Sequence, residues 1–213
     1  MRPVAETWRR YRQEPAAIRL HTALRALSCP FGPLVVELPP EARTLDYGCG
    51  HGLFSGLFAS RARARVTGVD VDQRKIAVAS RVLAESCVFQ AIAPGAVPPG
   101  PWDVITLVDV LYLMAKEDQL ALLGALAAQL APEGLLLVKE MHLDSRAKLT
   151  WLRLQERVMI NLLAATKGGQ PSFTDPSEFA SSLADSGLSV STRRIDRGYP
   201  YPHHLIVAQR NAP

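Results

Sequence analysis

Asp46-Tyr47-Gly48-Cys49-Gly50-His51-Gly52 places an acid two residues ahead of three glycines on alternate positions. With no Cβ at those three positions, backbone N–H groups can approach a ligand closely, and the apolar segment Leu53-Phe54-Ser55 that follows adds the positive end of a helix. A small polar ligand is the expected occupant. A second acid, Asp70, ends the run Arg65-Val66-Thr67-Gly68-Val69, about 20 residues beyond the glycine turn. There a second parallel strand brings a carboxylate to a ribose, because two acceptor oxygens match two vicinal hydroxyls. The dinucleotide fingerprint G-x-G-x-x-G is not met, since it needs glycine at position 53 and the residue is Leu53.

Strands and helices must alternate to position these groups. Arg43 to Tyr47 reads as the first strand and Gly52 to Ser60 as its helix. Arg65 to Asp70 is the second strand, followed by a helix that Asp72 caps and that runs through Glu85. Cys87 to Ile92 is a third strand. Trp102 to Asp109 is a fourth, nearly continuous in apolar residues as a strand buried on both faces must be. A long helix, Lys116 to Leu130, leads through Ala131-Pro132-Glu133-Gly134 into a strand over Leu135 to Glu140. This alternation predicts an α/β fold with a parallel, doubly wound sheet.

Ahead of this core, residues 4 to 27 have helical character, with Ile18, Leu20, Leu24 and Leu27 on one apolar face. Pro30, Pro33, Pro39 and Pro40 end it, which gives a helical cap and linker over 1–40 and a core over 41–213 in one domain. A helical lid is expected near 141–186: an amphipathic basic helix from about Ala147 to Ala165 carries Trp151, Leu154, Val158 and Leu162 on one stripe. Asp175-Pro176-Ser177-Glu178 is a helix start with a capping-box Glu, and Gly187 ends that helix. Leu188 to Asp196 and Leu205 to Gln209 are two closing strands.

The chain has 213 residues, 48% of them hydrophobic and 21% charged, the balance of a globular protein able to bury a good core. Three cysteines, Cys29, Cys49 and Cys87, show no C-x-x-C pairing, so neither a disulfide framework nor a zinc site is indicated and a cytoplasmic home is expected. Met1 to Arg12 is rich in arginine without an apolar run behind it, unlike a secretory signal. No stretch is apolar for long enough to cross a bilayer, so no transmembrane segment is expected. The net charge of +4 is modest and spread along the chain. Trp8-Arg9-Arg10-Tyr11-Arg12 reads as a solvated helix face, and no nucleic-acid partner is expected.

The ordered set of Asp-x-Gly-x-Gly-x-Gly, Asp70 and the phrase Leu130-x-Pro132-x-Gly134-x-Leu136-x-Val138 resembles the class I S-adenosylmethionine-dependent methyltransferases of small-molecule type over residues 41 to 140. The resemblance implies a Rossmann-like, mostly parallel seven-stranded sheet with an antiparallel last strand in three αβα layers. It implies S-adenosyl-L-methionine as cofactor, with Gly48, Cys49, Gly50 and Gly52 under its aminoacyl part, Asp46 near its ammonium group, Asp70 and Val71 at its ribose, and Asp109 beside its methionine chain. Family members often carry an acid for the adenine amino group where this chain has Ala93, a departure that leaves adenine to backbone near Ile92 and Ala93.

The implied function is methyl transfer to a small, apolar or amphiphilic acceptor, with O-methylation slightly favoured. Alternatives are a non-catalytic S-adenosylmethionine-binding partner subunit and an NAD-dependent oxidoreductase, the latter opposed by Leu53. A hydroxyl acceptor must lose a proton, which a neutral His can take. His142, just past the fifth strand, is the first candidate and Tyr112 the second, with His203, His204 and Tyr11 as lining residues. Adjacent strand residues face opposite sides of a sheet, so His203-His204 is not expected to hold a metal.

Overall fold

The structure, a computed structural model, describes residues 8–141, 172–199 and 202–211. Seven strands form one sheet: β1 (Arg43–Tyr47), β2 (Arg65–Asp70), β3 (Cys87–Ala91), β4 (Trp102–Val108), β5 (Leu130–Met141), β6 (Leu188–Arg194) and β7 (His203–Arg210). Their order is β3-β2-β1-β4-β5-β7-β6; β1 to β5 are parallel and β7 runs antiparallel to both of its neighbours. The order reverses direction between β1 and β4, which opens a crevice outside the carboxyl ends of those strands, where such sheets bind ligands.

Apolar residues fill both faces, as the near-continuous hydrophobicity of β4 requires. On one side α3 (Leu53–Ala62) packs with α2 (Phe31–Glu37) against Val66, Val104, Val108 and Leu137. On the other, α5 (Lys116–Ala127) and α6 (Pro176–Asp185) pack through Leu122, Leu123, Leu126, Phe179 and Leu183 against Leu45, Ile105, Leu107, Leu136 and Val138. Local chemistry sets the helix starts. Asp72 accepts from the Arg74 N–H to cap α4 (Gln73–Leu83), and Asp175 accepts from the Ser177 N–H ahead of Pro176 in α6. The capping-box expectation fails at Glu178, whose carboxylate instead pairs with Lys116 at 2.5 Å.

The N-terminal cap differs most from expectation. A 3-10 turn (Arg10–Gln13) leads into α1 (Ala16–Ser28), but the stripe Leu20, Leu24 and Leu27 is 61%, 52% and 69% exposed, while Thr22 is buried. Helical spacing reports the helix and not which side meets the sheet; here the inward side carries Thr22 and Arg25. The proline-rich stretch also holds a short helix: Pro33 of α2 lies in its first turn, where a missing N–H costs nothing. In the same way β5 begins at Leu130 opposite Trp102, earlier than Leu135, with a register shift that accommodates Pro132-Glu133-Gly134. Of the expected lid, residues 142–171 lie outside the described residues, and the remainder includes α6, a core-packed helix.

Replacing Leu20, Leu24 and Leu27 together by Gln is expected to leave stability within about 1 kcal/mol, the scale of surface changes. Leu123→Ala, at a fully buried core position, is expected to cost about 2 to 5 kcal/mol. Urea unfolding followed by circular dichroism checks both; comparable losses would show that the leucine stripe is packed.

Candidate functional site

The glycine turn sits at the carboxyl end of β1, tied to β2 by the Gly48 and Cys49 N–H groups, which both donate to the Val69 carbonyl. Gly48, Gly50 and Gly52 have φ of +75°, +56° and +81°, values that L side chains rarely adopt. Two of the three are also pressed by neighbours. A Cβ at Gly48 would lie 2.4 Å from Val110 Cγ2, and one at Gly52 would lie 2.9 Å from the Phe89 ring. At Gly50 a Cβ would meet nothing within 4 Å, so this residue faces open space.

Asp70, at the end of β2, borders that space. Its Oδ2 accepts from the Gly50 N–H at 2.9 Å and its Oδ1 from the Asp72 N–H at 2.8 Å. Beyond it, Val71 is exposed; Ala93 is also exposed, one residue past Ile92, whose N–H donates to the Asp70 carbonyl. Asp46, Gly48, Cys49, Gly50, Gly52, Asp70, Val71 and Ala93 therefore line one edge of β1, β2 and β3.

Asp46 lies beneath the turn, where its carboxylate is buried and both oxygens are engaged. Parallel partners in register share a face, so Thr106 of β4, opposite Asp46, can donate its hydroxyl to Oδ1 at 3.0 Å. Ser55, in the first turn of α3, donates to Oδ2 at 2.5 Å. Burial raises the carboxyl to about 6, against the two hydroxyl hydrogen bonds, which lower it. Thr106 and Ser55 were not legible in the sequence as site residues; a hydroxyl inside an otherwise apolar strand was the available signal.

The cap closes over the same edge through polar contacts. Fully buried Tyr11 donates its hydroxyl to the His51 carbonyl of the turn at 2.7 Å. Glu14, also buried, receives Nε and Nη2 of Arg81 from α4 at 3.0 and 2.6 Å. His21 of α1 meets the His51 ring edge to face at 5.2 Å. Burial, with His51, Arg25 and Lys75 nearby, lowers His21 to about 4, so it is neutral at pH 7.

At the end of β4, Asp109 is turned inward with φ +58°, a conformation that Asp tolerates better than most residues. Its Oδ2 pairs with Arg25 of α1 at 2.7 Å and its Oδ1 with fully buried Lys139 of β5 at 2.5 Å. Burial alone would push the Asp109 carboxyl up, but the two cations outweigh it and hold the group well below the usual carboxylate range. The Cys29 thiol lies 3.7 Å from Oδ2, and burial pushes it up to about 11. His203 is buried with Nε2 3.0 Å from the Ser28 carbonyl and lowered by burial to about 4, so it braces the cap and does not line an open cleft.

Tyr112 follows in a 3-10 turn (Leu111–Leu113), half-buried, with its ring stacked parallel to Phe173 at 5.7 Å. Burial raises its hydroxyl, with the Asp109 carboxylate adding to the effect, so the phenol stays protonated at neutral pH. Beneath this turn Glu140 of β5 accepts from the Val110 and Leu111 N–H groups, both at 2.8 Å, through Oε1. His142 lies outside the described residues. Among the described residues no three His, Cys, Asp or Glu side chains gather to hold a metal ion, and no helix is long and apolar enough to cross a membrane.

Two outcomes follow from this geometry. Because Asp46 binds its proton more tightly folded than unfolded, stability falls as pH rises from about 4 to about 6, by about 3 kcal/mol for a shift of roughly two units. Asp46→Asn is expected to flatten that slope, as thermal melts across pH 4 to 7 would show. Gly48→Ala, forced against Val110, is expected to destabilise the fold by about 1 to 3 kcal/mol, while Gly50→Ala carries only the cost of its φ, about 1 kcal/mol. Equal losses in chemical denaturation would contradict the packing at Val110.

The chain matches the profile of a methyltransferase domain family over residues 8–192. It is 31% identical over 156 residues to the ubiquinone biosynthesis O-methyltransferase of Marinobacter nauticus, a match covering 70% of this chain and 64% of that protein. The chain thus spans just under two thirds of the length of the curated relatives it matches. An O-methyltransferase family protein from Burkholderia thailandensis superimposes with a TM-score of 0.70 at 23% identity, over 96% of this chain and 62% of that one. Magnesium protoporphyrin IX methyltransferase from Synechocystis, solved with bound S-adenosylhomocysteine, gives 0.66 at 20% identity, over 97% and 94%. With the glycine turn, the two acids and this sheet order, the chain belongs to the class I S-adenosylmethionine-dependent methyltransferases.

Proposed function

We propose that this chain transfers a methyl group from S-adenosylmethionine to a hydroxyl of a small, largely apolar or aromatic acceptor. The observation that carries the proposal is the glycine turn itself, open above Gly50 and floored by carboxylates. A phosphate is a poor match, because Asp70 already accepts the Gly50 N–H and Asp46 lies below. A ligand that presents an ammonium, a sulfonium and a ribose fits these acids. Asp70 and Val71 would take the ribose, Gly48, Cys49, Gly50 and Gly52 the aminoacyl part, and backbone near Ala93 the adenine. Asp46 would hold the turn and lend it negative charge. Asp109, through Arg25 and Lys139, would set the segment that leads to Tyr112.

The cofactor supplies a methyl group already activated on sulfur, so the protein's part is alignment and exclusion of water. Orientation of that kind can contribute on the order of 7 to 11 kcal/mol. Tyr112 and Phe173 form a stacked pair next to part-exposed Leu113, an apolar wall suited to an aromatic acceptor. The O-methyltransferase relatives support a hydroxyl as the target. His142 remains a proposed proton acceptor. The cap over 1–40 and the core over 41–213 act as one domain in this reading, and the setting is cytoplasmic.

Calorimetry with S-adenosylhomocysteine tests the cofactor, and transfer of labelled methyl from S-adenosylmethionine to catechol tests the reaction. Asp70→Ala is expected to weaken S-adenosylhomocysteine by about 2 kcal/mol, roughly thirtyfold in Kd, through loss of the ribose hydrogen bonds. Unchanged affinity in that variant would sink the assignment of Asp70.

A further inference from the structure

Glu140 is 4% exposed, and its Oε2 has no hydrogen-bond partner. Buried carboxyl oxygens in folded proteins are almost always satisfied, so such an atom calls for an explanation. The other oxygen, Oε1, is fully used by the Val110 and Leu111 N–H groups. Those donors fix the carboxyl group in place and leave Oε2 buried with its lone pairs unclaimed. Glu140 stands at the carboxyl end of β5, one residue before that strand ends, on the edge where ligands of such sheets bind. Val110, held by Oε1, is the same residue that presses on Gly48 of the cofactor turn, and Tyr112 of the apolar wall is two residues further on.

We propose that Glu140 Oε2, rather than His142, receives the proton of the acceptor hydroxyl during methyl transfer. The inference deepens the reading of this chain as an O-methyltransferase and rests on it. The acceptor oxygen forms its bond to the methyl carbon as the sulfur–methyl bond breaks. The breaking bond's electron pair stays on sulfur and the hydroxyl proton passes to Oε2, so charge and atoms balance. Among the described residues no hydrogen-bond donor competes with an incoming hydroxyl for that oxygen.

The surroundings suit a carboxylate that must act as a base. Burial, followed by the Asp109 carboxylate, raises Glu140 to about 8, against the Leu111 and Val110 N–H groups and Lys139, which lower it. His204, opposite Glu140 on β7, and Tyr112, whose hydroxyl the Glu140 charge helps to raise, are the other titratable groups beside it among the described residues. At pH 7 most molecules therefore carry Glu140 protonated, and the base form fills as pH rises through about 8. In that form it lies nearer to a phenol than an ordinary carboxylate does, which eases proton transfer, and kcat is expected to rise with pH over the same range.

The test uses the full chain with S-adenosylhomocysteine and 4-nitrophenol as a chromogenic acceptor mimic at pH 7. Wild type is expected to bind the mimic as phenolate, with its proton on Glu140, and to show the phenolate absorbance band. Glu140→Gln keeps an oxygen for the Val110 and Leu111 N–H groups but cannot take the proton. It should bind S-adenosylhomocysteine with unchanged Kd, hold the mimic as the neutral phenol, and lower kcat with catechol by a hundredfold or more. A neutral phenol spectrum in wild type overturns the proposal whatever the variant does, and so do identical spectra in the two proteins. Failure of the wild type to methylate catechol or to bind S-adenosylhomocysteine would instead overturn the underlying O-methyltransferase reading.

Discussion

The site depends on the Asp109 carboxylate, shared between a buried ammonium and the guanidinium of the cap. An ammonium as deeply buried as that of Lys139 is tolerated only with a partner in good geometry, since the desolvation of an unpaired charge amounts to several kcal/mol. Asp109 meets that need, and its second oxygen draws Arg25 down onto the sheet edge. One carboxylate thus links the end of β4, the end of β5 and the cap helix α1. It does so from a left-handed backbone conformation that turns the chain sharply before Val110.

The position of Val110 follows from that turn, and the shape of the cofactor turn follows from Val110. Gly48 approaches Val110 so closely that a Cβ there would lie 2.4 Å from Val110 Cγ2, and Glu140 clamps the Val110 and Leu111 N–H groups from below. The edge proposed to bind the cofactor and the edge that would hold an acceptor are therefore mechanically joined. The cap repeats this logic on the other side, where Tyr11 reaches the His51 carbonyl and Glu14 reaches Arg81. These are polar fastenings; the apolar stripe of α1 takes no part in them and faces outward.

Much of this architecture was legible in the sequence, because strands buried on both faces announce themselves as apolar runs and the glycine spacing is chemically specific. Asp46, Gly48, Gly50, Gly52 and Asp70 lie along one edge, as their order implied. The leucine stripe of α1 misled for a definable reason: a period of 3.6 identifies an amphipathic helix without stating whether its apolar side meets the protein. The helix Phe31–Glu37 was hidden by prolines that are harmless in a first turn. Lys139 and Glu140 read as the polar end of a strand, although both are buried; only the fold reveals that Asp109, thirty positions away, brings its charge to them.

Three of the four buried acids on this edge, Asp46, Asp109 and Glu140, show why sequence reading stops at residue type. Asp46, held by two hydroxyls and no cation, is raised to about 6 and is ionised at pH 7 beneath the turn. Asp109, between two cations, is lowered and stays ionised throughout. Glu140, buried and beside the Asp109 charge, is raised to about 8 against two backbone N–H groups. Neighbouring carboxyls pushed apart in this way are separated in role, one for structure and charge, one for ion pairing, one for proton exchange. Because Asp109 is permanently charged, it raises Glu140 by repulsion while it neutralises Lys139 by attraction. The pairing that holds the edge together therefore also adds to the rise of Glu140, the one buried carboxyl among the described residues that retains a buried oxygen without a partner.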